Sequence, residues 1–140
     1  MPILNYTTKI AAAKTVGEIQ EILASGGAKK VMIDYGDDRE PVAISFQIET
    51  SPGTAVSFRL PSNAHGVLAA LTKDKVDNKY RNLEHARRVT WRVIKDWIES
   101  QMAIIYAEQA TMLQVFLPYA VTSTGETMYD RVMDNQKLLN

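Results

Sequence analysis

Apolar and polar residues alternate with a period of two along three stretches of the chain. In residues 29–35, Val31, Ile33 and Tyr35 alternate with Lys30, Met32 and Asp34. In residues 42–48, Val42, Ile44, Phe46 and Ile48 alternate with Ala43, Ser45 and Gln47, and Val56, Phe58 and Leu60 then alternate with Ser57 and Arg59. That period belongs to strands with one buried face. Turn chemistry joins them, Gly-Asp-Asp-Arg-Glu at 36–40 and Ser-Pro-Gly at 51–53, so an antiparallel meander with one apolar and one polar face is predicted. Residues 3–10, short and rich in β-formers, predict a further strand.

Elsewhere the period is helical. Val16, Ile19, Ile22 and Leu23 recur at helix spacing behind Thr15, and Thr15 with Glu18 three residues on makes a capping-box pattern. Gly26 and Gly27 supply the residues that commonly end a helix. Pro61 stops the third strand, and Ser62 or Asn63 caps a short helix through Leu71. After a charged connection at 73–79, a long helix is predicted over residues 82–108, with 110–117 continuing it or starting another. Pro118 ends that segment, and residues 127–138 read as a terminal amphipathic helix after the Gly125 turn. The predicted fold class is α+β: a single domain over 1–140, an antiparallel β-meander of three to four strands with an N-terminal helix and a long C-terminal helical region packed on one face.

At about 100° per residue, Ala86, Val89, Val93, Trp97 and Ile104 form one stripe of the long helix, and Trp91, Ile94, Ile98, Met102 and Ile105 an adjacent one. The combined arc exceeds half the circumference. A helix lying on one sheet needs only about 100° of apolar arc, so two neighbours are expected, the sheet plus another helix or the sheet plus another subunit. Both tryptophans fall inside the arc and read as core or interface residues. Arg87 and Gln101 also project into it, and Arg87 therefore requires a carboxylate, a subunit partner or a bound anion. The opposite face gathers Arg81, His85, Arg88, Arg92 and Lys95 within about a quarter-turn, a basic ridge diluted by Asp96 and Glu99.

Composition narrows the chemistry. Sixteen lysines and arginines balance sixteen aspartates and glutamates over 140 residues, so no overall field draws the molecule to nucleic acid or an anionic membrane, and such binding needs a local patch. Neutrality also leaves little repulsion against self-association, and with the wide apolar arc it predicts a homo-oligomer. The chain has no cysteine, which excludes disulfides, a thiol nucleophile and cysteine-based zinc sites. The first residues lack the charged start and apolar core of a signal peptide, and no run approaches the roughly 18 apolar residues of a membrane span, so a soluble cytoplasmic protein is expected.

No catalytic, metal or cofactor motif emerges. Asp34, Asp37 and Asp38 bunch at the first hairpin but lack a histidine and the alternating oxygen ligands of a calcium loop, and read as a solvated turn. His65 and His85 are isolated, and the glycine pair follows a helix, the wrong side for a phosphate-cradling loop. The segment 115–119, VFLPY, reads first as core packing, with a hydrophobic lid or subunit contact as the alternative. The order of helix, three strands and helix is that of double-stranded-RNA-binding domains, but the lysine cluster those domains carry is replaced here by PSNAHGVLAAL.

The segments LNYTTKI, GAKKVMIDY, VTWRVIKDWIESQMAII and VFLPY resemble those of a family of small bacteriophage and prophage proteins, over most of the chain. The resemblance implies a phage origin and a host-cell cytoplasm; it transfers no functional residue. With the basic ridge it leads to the expectation of a non-enzymatic phage accessory protein that binds nucleic acid, single-stranded DNA foremost, through Arg81, Arg88, Arg92 and Lys95, with Arg59 and Lys30 as further contacts. The alternative is an anti-defence protein that inhibits a host immune factor or sequesters a nucleotide signal at a subunit interface, with Arg87 as anion ligand.

Overall fold

The computed structural model describes residues 1–139. Helix α1 spans Ala12–Ser25, strands β1, β2 and β3 span Lys30–Tyr35, Pro41–Ser51 and Thr54–Pro61, and helix α2 spans Ala64–Lys73. A 3₁₀ turn at Asn78–Tyr80 leads into the long helix α3, Leu83–Tyr106. The short helices α4 (Met112–Phe116) and α5 (Met128–Asp134) follow, each succeeded by 3₁₀ turns, at Leu117–Tyr119 and Gln136–Leu139. The sheet is an antiparallel meander in the order β1-β2-β3. No helix among the described residues is long and apolar enough to cross a membrane.

The alternation of the strands sets their two faces. Val31, Ile33, Ile44, Phe46, Ile48, Val56, Phe58 and Leu60 face α1 and α3 and build the main core with Val16, Ile19, Leu23, Trp91 and Ile98. Phe46 stacks on Phe58 with ring centroids 5.2 Å apart, and Phe116 meets both edge-on or tilted at 5.5 and 6.0 Å. Trp97 closes the cluster against Phe116 and Tyr119. The VFLPY segment is therefore core through Phe116 and Tyr119, while Leu117 remains exposed. Its continuation supplies a vestige of a fourth strand, a single bridge from Ala120 to Phe58.

The wide apolar arc of α3 is explained within one chain, because α3 packs against α1 and α2 and shares the main core with the sheet through Trp91 and Ile98. A second cluster at the start of α3 joins Leu71, Val76 and Ala86 with Ile3, Tyr6, Leu68 and Tyr80.

Five expectations need correction. Residues 3–10 form no strand: Asn5 sits at φ 66°, and Tyr6 and Thr8 hydrogen-bond back to Ile3 and Asn5 in consecutive turns. A left-handed residue breaks the extended run that the β-formers suggested. Helix α1 starts before Thr15, from Ala11, without a side-chain cap. Thr15 lies fully buried inside the helix, and Glu18 turns to Arg92 instead of reaching back for a capping box. On β2, Val42 is exposed and Ala43 buried, the reverse of the simple alternation. The cause is a bulge: Asp34 pairs with Ala43 and Tyr35 with Pro41, leaving Val42 as the extra residue. Finally, Pro118 lies within the Leu117–Tyr119 turn, and the terminal helix is interrupted after Asp134.

Other boundaries follow their local chemistry. Asn63 caps α2 by accepting from the Gly66 N–H, and Asn82 caps α3 by accepting from His85 at 2.8 Å. After α1, Gly27 adopts φ 105°, a conformation open to glycine alone at small cost.

Phe116 is the contact on which the aromatic cluster converges. Phe116→Ala should cost about 3–5 kcal/mol, a large share of a small domain's stability. Urea unfolding followed by tryptophan fluorescence reads this directly.

Candidate anion-binding site

Helix α3 places its cations as the helical projection requires, but most of that face is not open to solvent. Helix α1 lies along it, and the seam between the two helices is where the charges meet. Arg92, with its side chain 15% exposed, donates to Glu18 at 2.5 Å and to the Thr15 hydroxyl at 3.4 Å. Lys95 pairs with Glu99 one turn along the same helix at 3.0 Å. The reading of a ridge turned wholly away from the protein is corrected here, because α1 carries a carboxylate that a projection of α3 alone could not reveal.

Three more of the expected ligands, Arg87, Arg59 and Arg81, are also engaged. Arg87 meets the carboxylate of Asp38, on the turn of the first hairpin, which satisfies its need inside the chain. Arg59 pairs with Asp34 at 3.0 Å, a bridge from β3 to β1 that crosses β2 on the outer sheet face. Arg81 donates from Nε to the Val76 carbonyl at 2.6 Å. Lys30 is exposed on β1 and makes no ion pair among the described residues, but it occupies the outer face of the sheet, opposite α3. The seven residues therefore do not form one surface.

Two members of the ridge, His85 and Arg88, do line a site. A pocket of about 310 Å³ is bounded by Thr8, Lys9, Lys79, Tyr80, His85 and Arg88. No carboxylate lines it. Lys9 and Lys79 make no ion pairs among the described residues, and the Lys79 ammonium stands 5.1 Å from the Tyr80 ring centroid. Arg88 donates to the exposed Glu84 at 3.1 Å and to His85 Nδ1 at 3.3 Å, while its buried Nε–H has no acceptor.

His85 positions this end of the site. It is 3% exposed, its ring lies 4.9 Å from that of Tyr80, and its Nε2 contacts the Tyr6 carbonyl at 2.5 Å. A carbonyl only accepts and a guanidinium only donates, so Nε2 carries the proton and Nδ1 receives the Arg88 N–H. The histidine thus ties the N-terminal turn to the start of α3 and fixes one arginine at the pocket.

By contrast, a groove of about 730 Å³ between α1 and α3 is lined by Glu18, Glu21 and Glu99 against Lys95 alone. That balance repels phosphate. At the first hairpin Asp34 and Asp38 each serve an arginine, and among the described residues no three metal-ligating side chains converge.

Lys9, Lys79 and Tyr80 went unsingled in the sequence because they lie in a presumed strand and a charged connection. Their convergence depends on the N-terminal turn folding back onto α3, which the β-forming composition of residues 3–10 disguises. The ring contact between Tyr6 and Tyr80, at 5.8 Å, is part of what holds that turn in place. Comparisons with protein-family models, with curated proteins and with solved structures return no match.

His85→Leu keeps the volume but strands the Tyr6 carbonyl and one Arg88 N–H. It should lower stability by about 1–3 kcal/mol, read as a shift in urea midpoint at unchanged m-value.

Proposed function

We propose that this chain is a non-enzymatic accessory protein of phage type that binds nucleic acid, single-stranded DNA foremost, at the pocket where the N-terminal turn meets α3. The observation that carries this reading is the grouping of Lys9, Lys79 and Arg88 around one pocket with no carboxylate in its lining. Two ammonium groups and a guanidinium neutralise backbone phosphates, and the Tyr80 ring, packed against His85 and beneath the Lys79 ammonium, walls the pocket beside them. Arg81, immediately after Tyr80, extends the positive charge along the strand's path. Arg88 shares its charge with the exposed Glu84, while Arg59, Arg87, Arg92 and Lys95 have carboxylate partners and lie outside the pocket, and they contribute less. With zero net charge on the molecule, the attraction comes from this local patch, and its salt dependence is set by the phosphates the patch neutralises.

The same pocket supports a second reading, capture of a nucleotide signal in an anti-defence role. Its 310 Å³ is of the size that holds a small ligand, and its phosphate-compatible cations and aromatic ring are those a mononucleotide uses.

A fluorescence anisotropy titration with a labelled single-stranded oligonucleotide at low salt tests the proposal. Binding should weaken steeply with salt, and Lys9→Glu with Lys79→Glu should reduce affinity at least tenfold. Loss of two phosphate contacts should flatten the log–log salt slope by roughly 1.4. No anisotropy change at low salt overturns the DNA reading, and a melting-temperature rise with a mononucleotide but not with the oligonucleotide favours the second one.

A further inference from the structure

Strand β1 pairs with β2 along one edge, and among the described residues no strand pairs with its other edge. An open edge displays a row of unpaired backbone donors and acceptors. On this one the side chains read Lys30, Val31, Met32, Ile33, Asp34: a cation, three apolar residues and an anion. Lys30 and Met32 are exposed, Met32 at 60%, while Val31 and Ile33 are half-buried against the core.

We infer that β1 is the dimer interface of this protein, pairing antiparallel with the β1 of a second copy about a two-fold axis through Met32. That register sets Lys30 opposite the partner's Asp34 and Asp34 opposite the partner's Lys30. Val31 then faces the partner's Ile33 on the core side. Shifting the axis to Val31 or Ile33 would set the charges opposite Met32 or outside the strand, so charge complementarity selects one register. Asp34 uses one carboxylate oxygen for Arg59, at 3.0 Å, and keeps the other for the incoming ammonium. Two three-stranded sheets become one six-stranded sheet, joined by roughly six backbone hydrogen bonds.

The flank of α1 fits this arrangement. Glu18 and Ile22 turn towards α3, as the contact with Arg92 shows. At about 100° per residue, Ala13, Gly17, Gln20 and Ala24 occupy the side of α1 turned away from Glu18 and α3, and α1 itself lies against the edge strand β1 as well as β2. Three of these four are small, and a Cβ built on Gly17 would meet nothing within 4 Å. Pairing the two sheets edge to edge brings the two α1 helices alongside one another, and small side chains permit the short end of the usual 8–10 Å helix separation. The interface stands apart from the anion-binding pocket, and its test does not depend on any ligand.

The chain lacks cysteine, so single cysteines report the register directly. Met32→Cys lies on the axis, opposite its own copy, within the 4.4–6.8 Å Cα separation a disulfide spans. Lys30→Cys would lie four residues from its copy, roughly 14 Å at the strand rise. Mild oxidation should convert Met32→Cys to a linked dimer on a non-reducing gel and leave Lys30→Cys monomeric. Lys30→Glu, which opposes two carboxylates at each end, should weaken the dimer of this 15.7-kDa chain at least tenfold by sedimentation equilibrium, with circular dichroism unchanged. A wild-type monomer at about 100 µM, linkage of Lys30→Cys as efficient as that of Met32→Cys, or a Lys30→Glu dimer of unaltered affinity overturns the inference.

Discussion

The ion pair between Glu18 and Arg92 is the contact that lets two helices share one sheet. Helix α3 carries both the widest apolar arc in the molecule and most of the cations near it, so anything that packs on its flank must also neutralise charge. Helix α1 does this with a single carboxylate placed opposite a largely buried guanidinium. A charge left alone in that seam would cost far more than the pair contributes. With it satisfied, α1 and α3 lie side by side over the meander and the aromatic cluster closes beneath them.

That arrangement governs what chemistry remains available. Cations that build the α1–α3 seam, clamp the first hairpin or cross the sheet are held by Glu18, Glu99, Asp38 and Asp34, and they act as structure. Where the N-terminal turn replaces α1 along α3, Lys9 and Lys79 gather at a pocket that no carboxylate lines. The candidate anion site therefore lies at the end of α3 that α1 does not cover, and the self-complementary edge of β1 lies on the far side of α1. The proposed binding pocket and the proposed self-association edge thus occupy separate parts of the fold.

Much of this architecture was legible in the sequence, for reasons that can be named. Alternation at 42–48 and 56–60, the Asn63 and Asn82 caps and the helical stripes of α3 are local signals, and each fixed its element to within a few residues. The wide arc of α3 correctly demanded two neighbours, and Arg87 correctly demanded a partner. What failed depended on contacts distant in sequence. A projection gives the direction of Arg92 but not that Glu18 waits there. The Thr15–Glu18 spacing imitates a capping box because one turn of helix also aligns both residues with the same arginine. Asn5 alone, by taking a left-handed conformation, turns a run of β-formers into the turn that completes the pocket. Lys9 and Lys79 are 70 positions apart, and only that turn brings them together.

The basic face of α3 serves first to hold α1. A double-mutant cycle of Glu18→Leu and Arg92→Met by urea denaturation tests it most directly. Each single variant should lose about 1–3 kcal/mol, while the double variant, with no unpaired charge in the seam, should recover most of what the worse single loses. Single variants that leave stability unchanged, or losses that simply add, would contradict it.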